Sequence, residues 1–312
     1  FKYLGFLCLL YAIGYLFVRG TSAPFFRTWQ ARLCCALFVI AGISGFSNKT
    51  AVVVEFSPVM SYLSFAALFI IVISTVDSLK RLRRVLLVTV GAGAFASLYV
   101  LREWQLSHPM SRPGWVTGDS NGFALSVLIV LPIALCLALE HRSRFQELFC
   151  ASCLIVMLLA FTLAASRGGF LGLVAGFLFV AWRSRRKLRN LLVVAVLVGP
   201  LSILAPISPL QRLLAPGFAD IAAANNRTTV WAAGLRMVQR HPFLGVGLGG
   251  FKSLVPSYQD GETMVRSMAH NSYLEIAAEM GIPALLIFLG LLYFSYRTLE
   301  RVRLATRSGG PR

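Results

Sequence analysis

Negative charge is what this chain has least of: twelve Asp and Glu stand against thirty Lys and Arg, and charged residues of either sign make up only 13% of its 312 residues. So thin a polar complement, beside 57% hydrophobic composition, cannot cover the surface of a water-soluble domain of this length. Histidine is scarce as well. The four, His108, His141, His241 and His270, are scattered with no H-x-x-x-H or H-E-x-x-H pattern, which disfavours a metal-dependent mechanism, and no cofactor is expected. All six cysteines fall inside apolar stretches, where a free thiol behaves as a small hydrophobe. Cys150 and Cys153 form a C-x-x-C, but it lacks the polar or βα surroundings of a zinc or redox site.

What the chain does have is nine apolar stretches, near 1–18, 31–46, 57–76, 85–101, 121–139, 148–164, 168–182, 191–206 and 281–296. A hydrocarbon core about 30 Å thick needs about 20 apolar residues as helix, and only helices or closed barrels satisfy every backbone amide there. The expected fold class is therefore all-α: a polytopic helical membrane protein of about nine spans, forming a single integral membrane domain over residues 1–312. One polar segment, 207–269, interrupts the pattern as a large loop expected to contain short helices.

The formal charge of +18 follows from topology rather than from nucleic-acid binding, because Lys and Arg cluster at span ends instead of along one face. Alternate connections carry them: Arg19, Arg27 and Arg32; Lys80, Arg81, Arg83 and Arg84; Arg142 and Arg144; Arg183, Arg185, Arg186, Lys187 and Arg189; and the basic tail after Tyr296. The positive-inside rule makes these connections cytoplasmic, so the 207–269 loop faces the periplasm or its equivalent. The same alternation puts the N-terminus outside. With Phe rather than Met at position 1, an odd number of upstream helices is expected to be missing.

The outer face is rich in groups suited to anions. Arg212, Arg227, Arg236, Arg240, Lys252 and Arg266 lie in the loop, and Arg167 lies at the outer junction of two spans in Ser166-Arg167-Gly168-Gly169. An arginine at a span end is costly unless it is paired or bound to an anion. The bland alternative for Arg167 is snorkelling, or capping of the preceding helix. The neighbouring glycines favour diphosphate binding, since they let a ligand or backbone come close and a guanidinium presents a fixed fork of donors to phosphate oxygens.

Asn225 or Asn226 is expected to cap an amphipathic helix with Arg227 in its first turn, an awkward place for a cation unless an anion shares it; a solvated surface arginine is the alternative. The run His241-Pro242-Phe243-Leu244-Gly245-Val246-Gly247-Leu248-Gly249-Gly250 has no preceding strand and no Lys-Ser/Thr, so it reads as a tight apolar turn at the membrane surface rather than a nucleotide loop. His241 there reads as a turn or packing residue. His270 opens a helical segment that runs into the last span, where it would be held near isoprenoid-linked head groups and would accept a proton from a hydroxyl at neutral pH. A purely structural hydrogen-bonded histidine is the competing reading.

In combination these elements resemble the O-antigen ligase and Wzy-type polymerase superfamily. The matching residues are Gly118-Asp119-Ser120-Asn121-Gly122 entering a span, Arg167 with Leu171, the Arg227 to Trp231 segment, the His241 to Gly247 run, and His270 with Gly281. The resemblance implies a metal-independent, inverting glycosyltransferase in the bacterial inner membrane, multi-pass, with its active site facing the periplasm. The implied donor is an undecaprenyl-diphosphate-linked glycan and the acceptor a lipid A-core or growing glycan chain, amid membrane lipids and with no nucleic acid. It assigns the diphosphate to Arg167 and Arg227 and the base to His270, with Asn271, Arg266 and Arg240 as accessory candidates. A polymerase is the alternative within the superfamily. A small-solute transporter is the alternative from another class, although the spans carry almost no central charge; a scaffold whose arginines bind head groups is a third.

Overall fold

Helices account for the regular structure of the described residues, with no strand among them, in the computed structural model of the protein. The structure describes residues 28–47, 57–106, 119–140, 143–183, 218–260 and 264–308, with 192 and 199 as isolated positions. The expected span at 1–18, nearly all of that at 191–206, the first part of the outer loop, Cys8, His108 and His141 lie outside the described residues. The other seven expected spans coincide with helices: α1 (Trp29–Ser47), α2 (Ser57–Thr75), α3 (Leu79–Leu106), α4 (Ser120–Ala138), α5 (Arg144–Leu163), α6 (Arg167–Arg183) and α9 (Ser272–Ser308). The outer loop contributes α7 (Phe218–Arg240), α8 (Phe251–Leu254) and a 3-10 turn, Val255–Tyr258.

Among the described residues five helices, α1, α3, α4, α5 and α9, are long and apolar enough to cross a membrane; Ser61–Val72 within α2 and Arg167–Phe179 within α6 are shorter apolar stretches. Their outward faces are apolar too: Val39, Phe65, Val88, Ile129, Ile155 and Leu286 are all exposed. Surfaces of that kind belong against lipid rather than water. The described residues divide into two compact units, 78–221 and the remainder.

In the first unit, α3, α4, α5 and α6 pack through Val90, Ala94, Ala124, Val127, Leu131, Cys150, Met157, Ala160, Phe161 and Phe177. Small residues recur in that contact because helices in lipid gain from close packing rather than from hydrophobic transfer. The buried, unpaired thiols of Cys150 and Cys153 fit this small-residue role. Asp119 caps α4, its carboxylate accepting from the Asn121 amide at 2.9 Å, and Ser143 caps α5 by accepting from Gln146. Arg83 ties the α4–α5 connection to α3 by donating to Glu140 at 2.9 Å and Gln146 at 3.0 Å.

In the second unit, α1 lies along α9. Trp29 stacks on Phe294 at 5.6 Å, and the Gln30 side-chain amide donates to the Phe294 carbonyl and the Thr298 hydroxyl. α9 is two helices joined at Gly281, whose φ of 86° and ψ of 172° are not helical. Pro283 explains the break, because it has no N–H for the Glu279 carbonyl. The glycine run replaces what the break removes: Val246 N–H donates to Ala278 O at 2.7 Å, Gly247 N–H to Glu279 O at 3.0 Å, and Ile282 N–H to Pro242 O at 2.8 Å. Ser44 of α1 adds its hydroxyl to the Glu279 carbonyl at 2.6 Å, so the freed backbone groups are satisfied within protein, as the bilayer demands.

This interlock dictates two glycines. A Cβ at Gly245 (φ 67°) would sit 2.2 Å from the Glu279 carbonyl carbon, and one at Gly281 would sit 2.2 Å from the Phe243 oxygen. The run expected to form a tight turn is therefore the clamp that stabilises the break in α9.

Candidate active site

α7 carries Arg227, but not where the sequence pattern put it. The helix begins at Phe218 instead of at Asn225 or Asn226, so Arg227 is nine residues in from its start and not in the first turn. Ala222, Ala223 and Ala224 are strong helix formers and carry the helix through the two asparagines. The dipole argument for Arg227 falls with that correction; its side chain is exposed on the flank of the helix. The inner face of α7, Val230, Ala233 and Met237, packs with Phe251, Val255, Ala269 and Ala278 into a small core, which docks α7 against the 272–280 arm of α9.

Trp231, four residues after Arg227 and thus on the same face, is exposed beside that core. Its indole N–H donates to the Ala269 carbonyl at 2.7 Å. From the other side Glu275, in the first turn of α9, accepts from the Ala269 N–H at 3.2 Å. Both peptide groups flanking buried Ala269 are thereby held.

His270 follows directly, exposed and with a φ of 49°. A left-handed conformation costs a side-chain-bearing residue roughly 1–2 kcal/mol. The two hydrogen bonds to Ala269, each contributing about 1 kcal/mol, are of the right size to sustain it. Asn271 then caps α9: its side-chain oxygen accepts from the amides of Tyr273 at 3.1 Å and Leu274 at 3.3 Å. The side chain of Asn271 is thus engaged in starting the helix, and His270 stands between two fixed neighbours.

The approach to His270 is also pinned. The Gln259 side chain both donates to Val265 O and accepts from Val265 N–H, each at 2.7 Å, which closes the loop leading into 264–269. Arg266 lies exposed on that segment.

Arg240 sits at the far end of α7, thirteen residues from Arg227, which is about 20 Å at 1.5 Å per residue. It stacks over the Tyr258 ring at 5.3 Å, while the His241 Nε2 pairs with the Tyr258 hydroxyl at 3.0 Å. Arg236 donates to the Tyr258 carbonyl at 2.6 Å and pairs with Asp260. His241 therefore has the turn role read for it, in a cluster separate from the Arg227 to His270 end.

In the other unit Arg167 is the first residue of α6 and half-buried. The preceding turn is closed: Ala164 and Ala165 are fully buried, Ala165 has a φ of 48°, and the Ser166 hydroxyl oxygen accepts from the Gly169 amide at 3.2 Å. The two glycines have different reasons. A Cβ at Gly169 would press on Ala124 at 3.2 Å and Phe161 at 3.3 Å, whereas nothing lies within 4 Å of one at Gly168. Packing accounts for Gly169, and Gly168 is the open flank beside Arg167.

Sequence reasoning passed over Trp231 and Glu275 as contributors to this region. An acidic residue in the first turn after Asn271 was a readable signal for a reach back to a preceding amide; the partner of the indole was not readable. Among the described residues no group of three or more His, Cys, Asp or Glu is gathered to hold a metal.

No curated protein and no solved structure matches the chain. Residues 152–289, a segment that includes Arg167, Arg227 and His270, match the family model described as O-antigen ligase.

Proposed function

We propose that the protein is a metal-independent glycosyltransferase that moves a glycan from undecaprenyl diphosphate to a sugar hydroxyl of lipid A-core at the periplasmic face of the inner membrane. The observation that carries the reading is backbone strain. Among the described residues, the non-glycine residues with positive φ are Ala165 and His270: one lies two residues before Arg167 and the other is the candidate base. Strain of this kind persists where the surrounding structure over-determines it, and it clusters at active sites.

The chemistry is a single displacement. The acceptor hydroxyl gives its proton to the unprotonated ring nitrogen of His270 while its oxygen attacks the anomeric carbon. The bond from that carbon to the diphosphate oxygen breaks, and its electron pair leaves with undecaprenyl diphosphate. Charge grows on the leaving group as the bond lengthens, so guanidinium groups bound to the diphosphate, the role we assign to Arg167 and Arg227, would stabilise the transition state more than the ground state. Attack opposite the leaving group inverts the anomeric centre.

Complementation tests it in two bacterial strains, one lacking the O-antigen ligase and one lacking the polymerase, read by lipopolysaccharide banding. Restored capping of lipid A-core in the first strain is the expected result. Restored ladders in the second strain alone would make the protein a polymerase using the same donor, and rescue of neither would defeat the reading.

A further inference from the structure

We propose that Trp231 and Glu275 are positioning residues for His270, setting the direction of its imidazole through the two peptide groups of Ala269 without touching substrate. The proposal rests on the reading of His270 as the base. Its ground is geometric: an indole N–H from α7 holds the Ala269 carbonyl at 2.7 Å, and a carboxylate from α9 holds the Ala269 amide at 3.2 Å. Ala269 is fully buried between them, and His270 leaves it with a φ of 49°.

The Cα–Cβ direction of a residue follows from its φ and ψ, and the extended and left-handed regions aim the side chain differently. Asn271 already fixes the residue after His270 by capping α9. With the Ala269 peptides fixed as well, the only torsions left to the imidazole are its own χ angles. Release of either Ala269 contact lets the left-handed residue relax to a cheaper region, and the ring swings away from the acceptor hydroxyl. A general base works within hydrogen-bond reach of its proton, so misplacement lowers the chemical step and leaves donor binding alone.

The test uses the protein in lipid nanodiscs with an undecaprenyl-diphosphate-linked glycan and lipid A-core, read as kcat and donor KM, together with hydrogen exchange of the segment containing Ala269. Trp231→Phe keeps the ring and removes the donor; Glu275→Ala removes the acceptor; Glu275→Gln keeps an acceptor oxygen without the charge. Trp231→Phe and Glu275→Ala are expected to lower kcat roughly ten- to a hundredfold with donor KM unchanged. Glu275→Ala should speed exchange of the Ala269 amide, and Glu275→Gln should restore both rate and protection.

A raised donor KM with kcat intact would make these residues part of the donor site and overturn the proposal. So would equal failure of Glu275→Gln and Glu275→Ala, since charge rather than the hydrogen bond would then matter. His270→Ala is run in parallel. If it proves fully active, the reading of His270 as base fails in its own right, and the exchange data still report whether the Ala269 clamp exists.

Discussion

Two helices of this protein begin with the same backbone device, and comparing them shows how one turn serves two ends. At α6, left-handed Ala165 precedes Ser166, which accepts from the Gly169 amide; at α9, left-handed His270 precedes Asn271, which accepts from the amides of Tyr273 and Leu274. Burial separates them. Ala165 is fully buried in the turn between α5 and α6, and the cation follows at the first helical position. At α9 the left-handed residue is itself the exposed imidazole.

A third left-handed site sharpens the contrast. Gly281 and Gly245 adopt positive φ, and a Cβ at either would overlap backbone, that of Phe243 for Gly281 and that of Glu279 for Gly245, so there is no room for any side chain. Gly281→Ala therefore carries the largest expected effect: strain and overlap together cost about 3 kcal/mol or more, and little folded, monodisperse protein should be recovered in detergent. Normal recovery would mean that the clamp on the α9 break is not what stabilises it.

Arg167→Lys and Arg227→Lys come next. If the arginines hold the diphosphate as proposed, each substitution loses a bidentate, charge-assisted contact worth about 1.5–3 kcal/mol, so donor binding, measured by titration with an undecaprenyl-diphosphate-linked glycan, should weaken by roughly tenfold or more. Unchanged affinity would mean that a point charge suffices, as head-group binding predicts.

Smaller effects separate strain from chemistry. His270→Gly should be more stable to heat than His270→Ala by about 1 kcal/mol, with both inactive, because glycine alone relieves the left-handed cost. At the buried turn, Ala165→Gly relieves the same strain but removes a buried methyl group, about 0.8 kcal/mol, and loosens the unfolded chain. Its melting temperature should stay near wild type and its activity should persist. A large loss at Ala165 would show that the two turns are not alike.

The spans were legible because their apolar runs match the bilayer: seven recur as helices, although the last helix, Ser272–Ser308, runs twelve residues past the expected end into the basic tail. The start of α7 was misread because Asn225 and Asn226 satisfy a cap pattern locally while the alanines before them favour continuing the helix. The partner of the glycine run was hidden for a different reason: Gly245 meets Glu279 thirty-four residues away, a contact that no local pattern encodes. The break itself was foreshadowed by Pro283, since a proline inside a helix must leave a carbonyl unpaired. The left-handed φ of His270 was not legible, because the contacts that hold the preceding Ala269 come from Trp231 and Glu275 on two different helices.

The most direct test of the central claim is the rate of glycan transfer by wild-type protein and His270→Ala in proteoliposomes charged with the undecaprenyl-diphosphate-linked donor and lipid A-core, at matched amounts of folded protein. Loss of the base should slow transfer by at least about a hundredfold while insertion and helicity are unchanged. Transfer by His270→Ala at the wild-type rate would contradict the account.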